Sequence, residues 1–72
     1  MTRPLIAIVV PVFNEHDNLR PFYDAVSDVM RSLADYDWEF VFVDDGSNDG
    51  SFAVLNELRG ADERVLARFV AQ

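Results

Sequence analysis

Phe42-Val43-Asp44-Asp45-Gly46-Ser47-Asn48-Asp49-Gly50 is the stretch on which the fold turns. It closes an apolar, β-branched run from Trp38 to Val43, a strand by composition, and halts at two carboxylates. Gly46 and Gly50 mark a turn. Asp49 is a candidate N-cap for a helix in which Phe52, Leu55 and Leu58 form an apolar face and Gly60 supplies the stop. A strand that enters an acidic turn and leaves as a helix is one half of a βα unit, so it predicts an alternating α/β chain.

Working outward, Leu5 to Val12 is a continuous apolar run of the kind a strand carries when both of its faces are covered. A polar loop follows from Asn14 to Asn18. Leu19, Phe22, Val26, Val29, Met30 and Leu33 then recur at helical spacing, with Pro21 placed in the first turn, where its missing N–H costs little. Tyr36-Asp37 reads as a connector, and Val65 to Val70 as a third strand. The order β-α-β-α-β with parallel strands and right-handed crossovers predicts a partial doubly wound, Rossmann-like three-layer sandwich. Ligands of such sheets bind beyond the carboxyl ends of the strands, where Asn14-Glu15 and Asp44-Asp45 would lie side by side.

Composition narrows the function. At 72 residues the chain is one domain at most, and its stability margin is thin. Half of the residues are apolar, which excludes a disordered tail. A net charge of −7, with no Lys and six scattered Arg, leaves no basic stripe for a nucleic-acid backbone, so DNA and RNA are discounted as partners. The absence of Cys removes disulfides, thiolate metal sites and cysteine nucleophiles, with a reducing cytosol as the default compartment. Met1-Thr2-Arg3 before an apolar run resembles a secretory signal, but Pro11 interrupts it and no small-residue cleavage site follows, so a buried strand is preferred. No apolar run approaches the roughly 18 residues of a membrane span.

Carboxylates at adjacent strand ends are strong acceptors for ribose hydroxyls and base N–H groups, and poor partners for phosphate. Such a site reads a nucleoside and leaves the diphosphate to a metal or to cations elsewhere. With no Lys and no glycine-rich phosphate loop, an ATPase or a dehydrogenase is disfavoured.

Ile8-Val9-Val10-Pro11-Val12-Phe13-Asn14-Glu15, followed by a helix and then by Phe42 to Gly50, resembles the opening of family-two inverting glycosyltransferases. The resemblance is to the branch of dolichol-phosphate mannose synthase and the bacterial undecaprenyl-phosphate glycosyltransferases, and it runs from about Leu5 to Val70. It implies a GT-A nucleotide-binding half. Pro11, Val12 and Phe13 would line the base and ribose pocket, Glu15 would accept a ribose hydroxyl, and Asp45 would meet the base edge with Asp44 beside it. Asn14 would brace the loop. The donor would be a UDP or GDP sugar and the acceptor a lipid phosphate, with the enzyme at the cytoplasmic face of the membrane and engaged in cell-envelope glycan synthesis. The family's Asp-x-Asp pair for Mg²⁺ or Mn²⁺, and its later catalytic base, have no counterpart here. Residues 1–72 are therefore expected to be an incomplete N-terminal portion without transfer activity of its own.

Other readings compete. Asp45, Ser47, Asp49 and Gly50 occupy positions one, three, five and six of a calcium-binding EF-hand loop, but Asn56 stands where a bidentate Glu is required and a strand precedes the loop. A receiver domain carries its acidic pair after the first strand, and needs a Lys. An inert fragment remains, and its uncovered first strand would favour self-association through an apolar edge. His16 reads as an exposed loop residue. The Phe residues read as core, Phe13 excepted.

Overall fold

The computed structural model describes residues 3–70. Met1, Thr2, Ala71 and Gln72, which belong to the 1–72 span assigned above, lie outside the described residues. Five elements follow the predicted order: β1 (Leu5–Val12), α1 (His16–Arg31), β2 (Asp37–Asp45), α2 (Ser51–Ala61) and β3 (Val65–Val70). The strands form one parallel sheet in the order β1-β2-β3, with Val12 beside Asp44 and Asp44 beside Phe69. This is the β-α-β-α-β core of a Rossmann-like, GT-A type sheet. Of the three layers of such a fold, residues 3–70 supply the sheet and one layer of helices.

Both helices cover the face that carries Phe40 and Phe42, each 0% exposed. Leu19 of α1, Val54, Leu55 and Leu58 of α2, and Val12 and Val65 of the flanking strands complete the core. The two Phe rings stack at 5.5 Å, and Phe22 meets each edge-on at 6.5 Å, an arrangement that satisfies the ring quadrupoles.

The other face departs from expectation. Leu5, Ala7, Val9 and Pro11 point away from the helices, and Val9 is 65% exposed. The cause is topological. When strand order follows chain order, right-handed crossovers place every helix on one side, and a helix reaches the second face only where the order reverses.

Helix α1 begins at His16, inside the segment read as a loop, because the Glu15 carbonyl accepts from Asn18 N and Leu19 N and so starts the first turn early. Pro21 consequently lies in the second turn, where it removes a helical hydrogen bond. The buried residues of α1 are Leu19, Ser27 and Met30, while Val29 and Leu33 are exposed. Gly60 lies within α2, which ends where Asp62 turns extended. Phe52 is exposed and leans on Phe69 at 4.5 Å.

At the amino end of the sheet, Tyr23 Oη donates to Asp62 Oδ2, Arg64 N donates to Asp62 Oδ1 at 2.9 Å, and the Arg64 guanidinium sits 4.3 Å over the Trp38 ring. Burial opposes ionisation of both groups. It joins the Asp62 contact in raising the Tyr23 hydroxyl above its ordinary value. At Asp62 burial is overcome by the bonds from Tyr23 and Arg64, which hold the carboxyl below its ordinary value.

Candidate nucleoside-binding loops

The carboxyl ends of β1 and β2 project two loops that are hydrogen-bonded to each other. Asn14 N donates to Ser47 Oγ at 2.9 Å, and Asn48 N returns a bond to Asn14 Oδ1 at 2.9 Å. Glu15 N donates to Ser51 Oγ at 3.2 Å, and His16 N to Asp49 Oδ2 at 3.1 Å. Asn14 therefore braces the loops, and does so from the left-handed region at φ 52°, which asparagine tolerates better than most side chains. The two polar clusters lie side by side, as the strand order requires.

Asp49 stands one residue before the N-cap of α2 and serves both helix starts. Its Oδ1 accepts from Ser51 N at 3.1 Å and from Ser51 Oγ at 2.6 Å, while Oδ2 takes the first N–H of α1. The Ser51 hydroxyl, ahead of the backbone N–H groups of His16 and Ser51, holds the Asp49 carboxyl below its ordinary value. This negative charge occupies the N–H groups that a helix start would otherwise offer to phosphate.

The acidic pair is split by strand alternation. Asp44 points to the helix side, is 3% exposed, and accepts from Ser47 N at 2.9 Å, which closes the turn. Asp45 points to the opposite face and is exposed. Two carboxylates on opposite faces cannot grip one ion together. Among the described residues no group of three or more His, Cys, Asp or Glu side chains is placed to hold a metal. The divalent ion implied by the resemblance thus finds no ligand set in residues 3–70. The EF-hand reading also fails on geometry, since β2 precedes the loop and Asp49 is committed to the helix starts.

A hollow of about 150 Å³ lies beside β1, lined by Val10, Pro11, Val12, Glu15, Asn18, Leu19 and Phe22. It gathers Pro11, Val12 and Glu15 of the six predicted residues. Phe13, 55% exposed, is not among its lining residues, and neither are Asp44 and Asp45. Glu15 Oε2 accepts from Asn18 Nδ2 at 2.8 Å, so one carboxylate oxygen is oriented at the rim. Val10, Asn18, Leu19 and Phe22 were missed as lining residues. Asn18, three positions after Glu15 at a helix start, is the one whose spacing could have revealed it. His16 is exposed, as predicted, but forms the first residue of α1.

The sequence profile of glycosyl transferase family 2 matches residues 7–69. Among curated proteins, the chain is 39% identical over 61 residues to a bactoprenol glucosyl transferase of Shigella phage SfV, a match covering 85% of this chain and 20% of the relative. It is equally similar to a prophage bactoprenol glucosyl transferase homolog of Escherichia coli K12, with the same coverage of each chain. An undecaprenyl-phosphate 4-deoxy-4-formamido-L-arabinose transferase of Pseudomonas fluorescens Pf0-1 is 40% identical over 52 residues, 72% of this chain and 15% of the relative. The chain thus spans at most about a fifth of the length of these relatives. No solved structure gives a significant match.

Proposed function

The chain belongs to glycosyl transferase family 2, and from that premise we propose that it supplies the nucleoside-binding loops of an enzyme that moves a sugar from a nucleotide diphosphate to a polyprenyl phosphate with inversion. The observation that carries the proposal is the pair of cross-bonded loops at the carboxyl ends of β1 and β2, with a hollow and an oriented Glu15 at their side. Pro11 and Val12 form the apolar wall for base and ribose, and Phe13 covers the ligand from the exposed side. Glu15 accepts a ribose hydroxyl through the oxygen that Asn18 leaves available. Asp45 reads the base edge, and Asp44 shapes the turn that presents it.

The charge pattern argues for the nucleoside over the diphosphate. Asp49 sits at both helix starts, and Glu15 and Asp45 add further negative charge nearby, so the diphosphate lies away from these loops. Its neutralisation by Mg²⁺ or Mn²⁺, and the catalytic base, require residues other than those described. The acceptor reading draws on the bactoprenol and undecaprenyl-phosphate names of the similar proteins. On this reading we propose that the enzyme works at the cytoplasmic face of a membrane. Among the described residues no helix is long and apolar enough to cross one.

Titration of the chain with UDP and with GDP, followed by backbone amide resonances with and without magnesium, tests the proposal. Shifts confined to Val12–Glu15 and Asp44–Gly46 are expected, and unchanged spectra with both nucleotides would sink it. By itself the chain also self-associates, because β1 lies at the margin of the described sheet and its outer face is apolar. Light scattering at micromolar concentration should give a mass above that of the monomer. A monodisperse monomer refutes this part alone.

A further inference from the structure

One of the four hydrogen bonds that tie the two loops ends on a small buried side chain. Ser51 is 0% exposed, and its hydroxyl is used twice: it accepts from Glu15 N at 3.2 Å and donates to Asp49 Oδ1 at 2.6 Å. The second Asp49 oxygen accepts from His16 N, the residue next to Glu15. Two consecutive backbone N–H groups of the first loop are therefore held by two residues of the second. Neither Ser51 nor Asp49 lines the hollow.

We propose that Ser51 and Asp49 are positioning residues, which fix the backbone at Glu15 and His16 and so set the Glu15 carboxylate at the rim of the hollow without touching the nucleotide. The inference rests on the nucleoside reading above and deepens it. Its physical basis is acceptor capacity. Asp49 satisfies three donors, the Ser51 N–H, the Ser51 hydroxyl and the His16 N–H, which a two-oxygen carboxylate accommodates. An amide of the same size has one acceptor oxygen and two donors. With its oxygen toward Ser51, the Asn NH₂ faces the His16 N–H, donor against donor. Pre-organisation matters here because the Glu15 carboxylate is held through one oxygen by Asn18 of its own helix, and a rim carboxylate that wanders meets a ribose hydroxyl less often.

Asp49→Asn, Ser51→Ala and Ser51→Thr, made in the full 72-residue chain, separate this role from general stability. The first readout is amide hydrogen exchange without ligand. In Asp49→Asn and Ser51→Ala, the Glu15 and His16 amides should exchange about tenfold faster, while core amides such as Phe42 and Leu55 keep their protection. Ser51→Thr, which retains a hydroxyl, should restore slow exchange at Glu15. The second readout is UDP affinity, expected to fall about tenfold in the same two variants and to recover in Ser51→Thr. Unchanged exchange at Glu15 and His16, or a uniform loss of protection that includes the core, overturns the proposal. If Ser51→Ala fails to fold, Asp49→Asn, altered at an exposed side chain, decides alone. Should wild-type chain bind neither UDP nor GDP while the two amides loosen as stated, the nucleoside reading falls and the positioning of Glu15 stands.

Discussion

On the covered face of the sheet Phe40 and Phe42 lose all exposure between the helices, whereas on the open face Leu5 and Val9, scarcely less apolar, stand in solvent. The strands are the same and the residues alternate one by one, so hydrophobicity alone does not decide which face is covered. Connectivity decides it. The comparison teaches that an apolar run reports a strand's suitability for burial, and that the direction of the crossovers determines which face obtains a helix layer.

Four substitutions test that contrast. Phe42→Ala, on the covered face, should cost about 3–5 kcal/mol and leave so small a domain largely unfolded, read by far-ultraviolet circular dichroism. A melt like that of the wild type would mean that the covered face is not the core.

Tyr23→Phe keeps the packing on that face and deletes the hydroxyl given to Asp62, with an expected loss of about 2 kcal/mol because the partner is charged. Its pH dependence has two limbs. The Asp62 carboxyl is lowered on folding, so its contribution is present above the ordinary Asp value near ~3.9 and fades as pH falls through the folded value. The Tyr23 hydroxyl is raised, so its contribution is complete below about 10 and is lost as pH climbs through the folded value. Denaturant midpoints across pH should show both limbs in wild type, with the alkaline limb flattened and the acid limb made shallower in Tyr23→Phe. Identical profiles would remove this tie from the covered side.

Gly50→Ala probes the loop end. Its φ of +94° strains any side chain, and a Cβ would stand 3.1 Å from His16 Cδ2. About 1 kcal/mol should be lost, visible as a lowered denaturant midpoint, with the greatest amide shifts at His16 and Asp49. Unaltered His16 resonances would show that the loops meet less closely than described. Val9→Thr, on the open face, should change stability by less than about 0.5 kcal/mol while reducing self-association in light scattering. A large loss of stability there would show that the open face is covered after all.

The strands were legible because each is a short apolar run bounded by polar or turn residues, and the predicted limits of the first and third coincide with β1 and β3. The cross-strand proximity of Asn14-Glu15 and Asp44-Asp45 followed from parallel topology alone. Ser27 and Ser51 were not legible as buried, because a serine is hidden only when its neighbours supply small spaces or partners, and those are set by tertiary contacts. The second helix was read from Asp49, yet sequence gave no reason to join that carboxylate to His16, far away in the chain. Pro21 was misplaced because α1 starts at His16, with the Glu15 carbonyl already accepting from Asn18 N and Leu19 N. The opposite outlooks of Asp44 and Asp45 were implicit in strand alternation, and the end of β2 at Asp45 makes them apply.

The coincidence of strand order with chain order also bears on synthesis. When Leu5 pairs with Asp37 and Phe40 with Val65, each strand docks on the one made just before it. On a ribosome, which releases the amino end first, β2 can settle against β1 with α1 already in hand, and β3 can then settle against β2. No strand has to wait for a later one to be inserted between it and its neighbour. The nascent chain can thus assemble by successive addition, one crossover at a time, with each loop closure kept short.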